Sequence, residues 1–165
     1  MKKYWWLVLL LVVGGIQLIR PGMVNPPVNP DNDLKAVAAP PAEVYSLLQA
    51  ACYDCHSNET KHPWYAQIAP VSWWINNHVQ EGREAVNFSE FALLSAKDRA
   101  EALDESAEKI REGEMPLQSF LWMHPEARLT PEQKDMLAQW LEQNGGGGSE
   151  ASGSEGEKGE GEEDD

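Results

Sequence analysis

The sequence predicts an all-α fold. Three observations carry that reading: apolar residues recur at helical spacing in four separate segments, two of these segments open on capping residues, and no segment alternates apolar with polar residues as a half-buried strand does. There is no internal repeat, and 165 residues with 42% apolar content suffice for one small domain with one modest core.

Reading from the start, Lys2 and Lys3 precede an apolar run from Tyr4 to Ile19 that only Gln17 interrupts, and Arg20-Pro21-Gly22 closes it. As a helix this run would reach about 24 Å, short of the roughly 30 Å hydrocarbon core of a bilayer, which suits either a short anchor or a long signal-peptide core. No small-x-small cleavage pattern follows, so residues 1–20 are expected to stay as an anchor. The paired lysines favour a cytoplasmic amino terminus, and Trp5-Trp6 suits the lipid headgroup level. The expected location is therefore the inner membrane with the domain in the periplasm, or a secreted periplasmic form if the signal is cleaved.

Residues 21–41 are rich in Pro and Asn without an apolar period and read as an extended linker. Pro41 then suits the first turn of a helix carrying Val44, Leu47, Leu48 and Ala51 on one face. After a loop with Pro63 and Pro70, Val71, Trp74, Ile75, His78 and Val79 share a second helical face that ends near Gly82. Ser95 and Asp98 resemble a capping box, from which Ala96, Ala100, Leu103, Ala107 and Ile110 run to Gly113. Thr130-Pro131 opens a fourth helix with Gln133, Met136, Leu137, Trp140 and Leu141 on one face, stopping before Asn144. The folded domain is thus expected over residues 42–144. Residues 145–165, almost all Gly, Ser, Glu and Asp, have nothing apolar to bury and read as a disordered acidic tail.

The formal net charge of −14 owes much to that tail. No basic stripe exists to track a phosphate backbone, so nucleic acid is excluded as a partner. Only two cysteines are present, and both fall in Cys52-Tyr53-Asp54-Cys55-His56. Cys-x-x-Cys-His is the attachment signature of c-type haem: two thiols add across the porphyrin vinyl groups, one backbone turn spans the gap, and the histidine comes to lie under the iron. A thioredoxin-like pair would need a βαβ setting, a zinc site a second tight ligand pair, and a disulfide here would close too small a loop to matter. The preceding export signal agrees with haem attachment, which bacteria carry out outside the cytoplasmic membrane.

One covalently attached haem c is therefore the expected cofactor, on Cys52, Cys55 and His56. For the sixth iron ligand Met115 is favoured, because Gly113-Glu114-Met115-Pro116 follows the third helix and proline stiffens that loop. His78, His124 and Met123 are its rivals. Trp64, Tyr65, Trp73, Trp74 and Trp122 could cover a porphyrin, and Arg83 or Arg111 could pair with propionates.

A helix ending in Cys-x-x-Cys-His, a later Met-Pro loop and a carboxy-terminal helix together resemble class I cytochromes c. More narrowly, Cys52 to Thr60, Pro63-Trp64-Tyr65, Ile68 to Trp74, His78, Glu81 to Glu84, Asn87-Phe88-Ser89 and Glu114 to Leu117 resemble the haem-binding domain family of bacterial exported proteins. That resemblance implies haem binding and a cytochrome-like fold. The function expected of the chain is one-electron transfer between periplasmic or membrane redox proteins. A haem sensor, or an accessory module for peroxidase chemistry, is the alternative. No acid–base pair stands out, so the chain is not expected to be an enzyme.

Overall fold

A computed structural model describes residues 4–19 and 21–145. Among these the fold is all-helical: α1 (Trp5–Ile16), α2 (Leu34–Ala38), α3 (Ala42–Ala51), α4 (Tyr53–His56), α5 (Val71–Ala85), α6 (Ala96–Glu112), α7 (Gln118–Leu121) and α8 (Pro131–Asn144), with four short 3-10 turns between them.

Local chemistry fixes most of the boundaries. Ser95 accepts from the Asp98 amide at 3.1 Å to open α6, and Gly113 closes it in the left-handed conformation at φ 76°. Thr130 and Gln133 form a reciprocal capping box, with Pro131 in the first turn of α8. The helix begun at Ala42 breaks at Cys52, whose φ of −125° and ψ of −44° separate α3 from α4. The second expected helix runs three residues beyond Gly82, to Ala85, because that glycine is tolerated where close packing demands it.

The core lies where α6 packs along α8 and α3 packs on α8. Leu47 and Leu48 from α3, Leu103, Ala107 and Ile110 from α6, and Leu137, Ala138 and Leu141 from α8 are all buried. Burial of each large side chain contributes roughly 1.5–3 kcal/mol, which is what holds these three helices together. Ala138 takes an inward place on α8, whereas Met136 is exposed.

The stretch expected as a linker is part of the domain. Leu34 is 0% exposed and joins the core, Asp33 caps α2 through the Lys35 amide at 2.8 Å, and the Tyr53 hydroxyl donates to Asp33 at 2.8 Å. Upstream, Asn25 donates to the Thr60 carbonyl at 2.8 Å and Asn58 to the Pro27 carbonyl at 3.4 Å. Proline and asparagine composition suggests extension; here it lays an extended strap across the domain, its polar groups satisfied by side chains.

At 12 residues, about 18 Å, α1 is shorter than a membrane span, and no helix among the described residues is long and apolar enough to cross a membrane. The acidic tail from 146 onward lies outside the described residues.

Candidate functional site

The Cys52–His56 turn is held from several directions. Its carboxyl side is locked first: the Ser57 hydroxyl donates to the Tyr53 carbonyl at 2.7 Å, and the Asn58 amide donates to the Ser89 hydroxyl at 3.0 Å. Arg83 then reaches across from α5, its Nε donating to the Ser57 carbonyl at 2.8 Å and its Nη2 to Thr60 Oγ1 at 3.0 Å and Asn25 Oδ1 at 2.9 Å. From below, Gly82 presses α5 against the turn so closely that a Cβ there would lie 2.8 Å from the Cys55 carbonyl oxygen. A glycine is the residue type that permits such an approach.

His56 is oriented by its surroundings. Its Nδ1 lies 3.3 Å from the Val86 carbonyl at the end of α5, and its ring lies against Phe88 at 5.9 Å between centroids. Burial pushes its pKa down, so the imidazole is neutral at pH 7, and a hydrogen bond from Nδ1–H to Val86 leaves Nε2 as the nitrogen with a lone pair to give. This is the arrangement that metal-bound histidines adopt.

Both thiols are free rather than bridged. Burial raises Cys52 to about 12, and burial together with the Asp54 carboxylate raises Cys55 to about 11. Such thiols are protonated at neutral pH, the opposite of the depressed value that a dithiol exchange centre needs. No group of three or more His, Cys, Asp and Glu side chains that could hold a metal ion is present among the described residues.

Cys52, His56 and Met115 line one cavity of about 200 Å³, partly open to solvent and walled by Leu48, Val86, Phe88, Ile110, Leu137 and Leu141. Small residues at Ala51, Ala85 and Ala102 leave it room. Met115 follows the Gly113 cap, its amide donating to the Lys109 carbonyl at 3.1 Å, and its side chain packs on the core. The motif thus meets the Met-Pro loop across an apolar space, where the Cys52 thiol, the neutral imidazole and the thioether are the groups that would hold a haem.

Cys55 does not join them. It lines a second cavity of about 190 Å³ with Val71, Trp74, His78 and His124, so the turn that carries the motif walls two spaces. The helical face read from Val71, Trp74, Ile75, His78 and Val79 is real, but it looks into this cavity rather than a closed core. Both rival histidines belong there, away from His56. His124 is engaged at both nitrogens, by the Tyr65 hydroxyl at 2.8 Å and Glu126 at 2.9 Å, and His78 pairs with Glu81 at 3.2 Å. Among the candidates for a sixth ligand, Met115 alone shares a cavity with His56.

Other expectations need correction. Arg83 holds the strap and the loop after the motif, and Arg111 pairs with Glu142 at 2.6 Å on the surface, so neither is presented to this cavity. None of Trp64, Trp73, Trp74 and Trp122 walls it. Sequence reasoning missed Val86; Gly82 and Phe88 stand in the motifs that carry the family resemblance, but no role was read for either.

A family model described as a haem-binding domain matches residues 11–143 of this chain. No curated protein and no solved structure matches it.

Proposed function

This chain belongs to the haem-binding domain family, and from that premise we propose that it carries one haem covalently on Cys52 and Cys55 and passes single electrons between redox proteins outside the cytoplasm. When bound, the haem supplies reversible one-electron iron chemistry. The chain's own residues do the rest. His56 would hold the iron through Nε2 while Val86 fixes its ring, and Met115 would hold it through its sulfur. A methionine in that position raises the reduction potential relative to a second histidine. The apolar walls contributed by α3, α6 and α8 limit water and so favour the less charged, reduced state. The buried thiols, held neutral, stay unreactive toward each other until they are used for attachment.

The observation that carries this reading is the convergence of Cys52, His56 and Met115 on one apolar cavity from separate elements. In keeping with the apolar amino-terminal run, the domain is tethered at the periplasmic side of the inner membrane, and it acts as a carrier rather than an enzyme. The test is expression in a periplasm equipped for haem ligation. A red protein whose haem stays with the polypeptide after denaturation supports it, as does loss in Met115→Ala, but not in His78→Ala, of the red charge-transfer band of Met-ligated ferric haem. A colourless product of unmodified mass overturns covalent attachment. Prompt binding of carbon monoxide to a high-spin ferrous form favours the sensor or peroxidase-accessory reading instead.

A further inference from the structure

In a chain with 24% charged residues, His62 to Gln80 and Met115 to Pro125 carry no Asp, Glu, Lys or Arg. The fold brings them to one side, where Val71 and Trp74 from the first meet Trp122 and Met123 from the second at the mouth of one cavity. Their side chains are also exposed, Trp122 at 71%, Met123 at 55% and Trp74 at 47%, as are Ile68 and Trp73, neighbours of Val71 and Trp74 in the chain. Exposed apolar side chains gathered in this way on a strongly acidic protein call for a partner.

The structure also places α1 beside it. Gln17, just past the end of α1, donates to the Ala69 carbonyl at 3.0 Å and accepts from the Ala69 amide at 3.0 Å, and the Trp73 indole donates to the Ile19 carbonyl at 2.7 Å. The uniformly apolar α1, exposed from Trp5 to Gly15, is therefore pinned at its carboxyl end to the corner where Ile68, Val71 and Trp73 sit. A 12-residue helix reaches about 18 Å against roughly 30 Å of hydrocarbon, so once inserted it cannot hold the domain clear of the lipid. Tryptophan is the side chain that prefers the headgroup layer, where its ring is apolar and its N–H is wet.

We propose that the uncharged face formed by Ile68, Val71, Trp73, Trp74, Trp122 and Met123 seats in the headgroup layer of a phospholipid bilayer, next to the inserted α1. This rests on the membrane attachment proposed above. It adds an orientation: the domain lies against the bilayer with the Cys55 side down, and does not swing on a flexible tether.

The test is hydroxyl-radical footprinting of the full haem-loaded chain reconstituted in phosphatidylcholine vesicles, with Met136 on α8 as an internal reference. Free of lipid, Trp122 and Met123 should oxidise at least as readily as Met136, which is only 36% exposed. On vesicles the expected order reverses, with Trp74, Trp122 and Met123 modified several-fold more slowly than Met136. If the chain floats with the vesicles but keeps the lipid-free order, the seating surface is wrong while membrane attachment stands. If it does not float with vesicles at all, attachment itself fails and the inference falls with it. Protection that disappears as the protein is diluted within the bilayer would assign the face to a second copy and overturn the inference.

Discussion

Replacing Gly82 with alanine tests whether α5 is what holds the Cys52–His56 turn in place. In an ordinary helix interior the change would be favourable by about 1 kcal/mol, since glycine carries the larger backbone entropy cost. Here the new Cβ would stand 2.8 Å from the Cys55 carbonyl oxygen, 3.2 Å from its carbon and 3.3 Å from its Cβ. Two of those atoms are backbone and cannot rotate away. Ordinary contact begins near ~3.5 Å, so α5 and the turn must separate, and overpacking of this kind costs about 1–3 kcal/mol. The net expectation is a loss of up to about 2 kcal/mol, or up to roughly 8 °C in melting temperature for a domain of this size.

The location of the strain matters more than its size. Val86, which receives the His56 Nδ1–H, is the residue at the carboxyl end of the displaced helix, and that contact is already 3.3 Å long. Gly82→Ala should therefore change the haem spectrum and the yield of attached haem as well as the melting temperature. Gly113→Ala provides the contrast. At φ 76° with nothing within 4 Å of its Cβ position, it should lose about 1 kcal/mol or more through backbone strain alone, much of it recovered by Gly113→Asn. A Gly82→Ala protein as stable as its parent, with the same haem content and spectrum, would refute the account.

Two further outcomes follow from the strap and the thiols. Leu34→Ala should cost about 2–5 kcal/mol in denaturant unfolding, because the side chain is wholly buried in the core; a loss below about 0.5 kcal/mol would mean that residues 21–41 are the free tether their composition suggests. In haem-free protein at pH 8, Cys55, raised to about 11, should alkylate on the order of a hundredfold more slowly than in urea, as the thiolate fraction requires; equal rates would show that burial does not protect it.

How much of this could be read from the sequence depended on the range of the interaction. The caps at Ser95 and Thr130 and the glycine stop at Gly113 involve neighbours within a turn, and they fall where expected. The haem motif is a matter of covalent spacing and needs no fold to be recognised. Met115 was proposed as a ligand from a Met-Pro loop following a helix, and it lines the same cavity as His56. What was missed is long-range. Nothing local to Leu34 says that it enters a core shared with Phe88 and Phe91, more than fifty positions away, and the Pro-rich composition around it argued the other way. The periodic face of α5 was legible, but periodicity reports only that a face is apolar, not whether it meets a core or a cavity. Arg83 was considered for a propionate because arginine suits anions; in the structure three uncharged oxygens use its donors.

That use of Arg83 ties the strap to the motif, and the tie can be cut without removing the charge. The guanidinium contacts Ser57 and Thr60, which follow the haem motif, and Asn25, which belongs to the strap; Asn25 in turn donates to the Thr60 carbonyl. Lysine at this position would keep a cation but present one ammonium instead of a planar fork, and so could not reach all three acceptors. Each hydrogen bond to a charged group is worth about 1.5–3 kcal/mol, and water can replace some of what is lost at a half-buried site, so Arg83→Lys should cost about 2 kcal/mol. The diagnostic change is local: amide exchange should speed up in residues 57–60, and cleavage by added protease should appear between 22 and 30, while α6 and α8 keep their protection. If stability falls but exchange rises evenly over the whole domain, the strap and the motif are not coupled through this side chain, and Arg83 serves general packing alone.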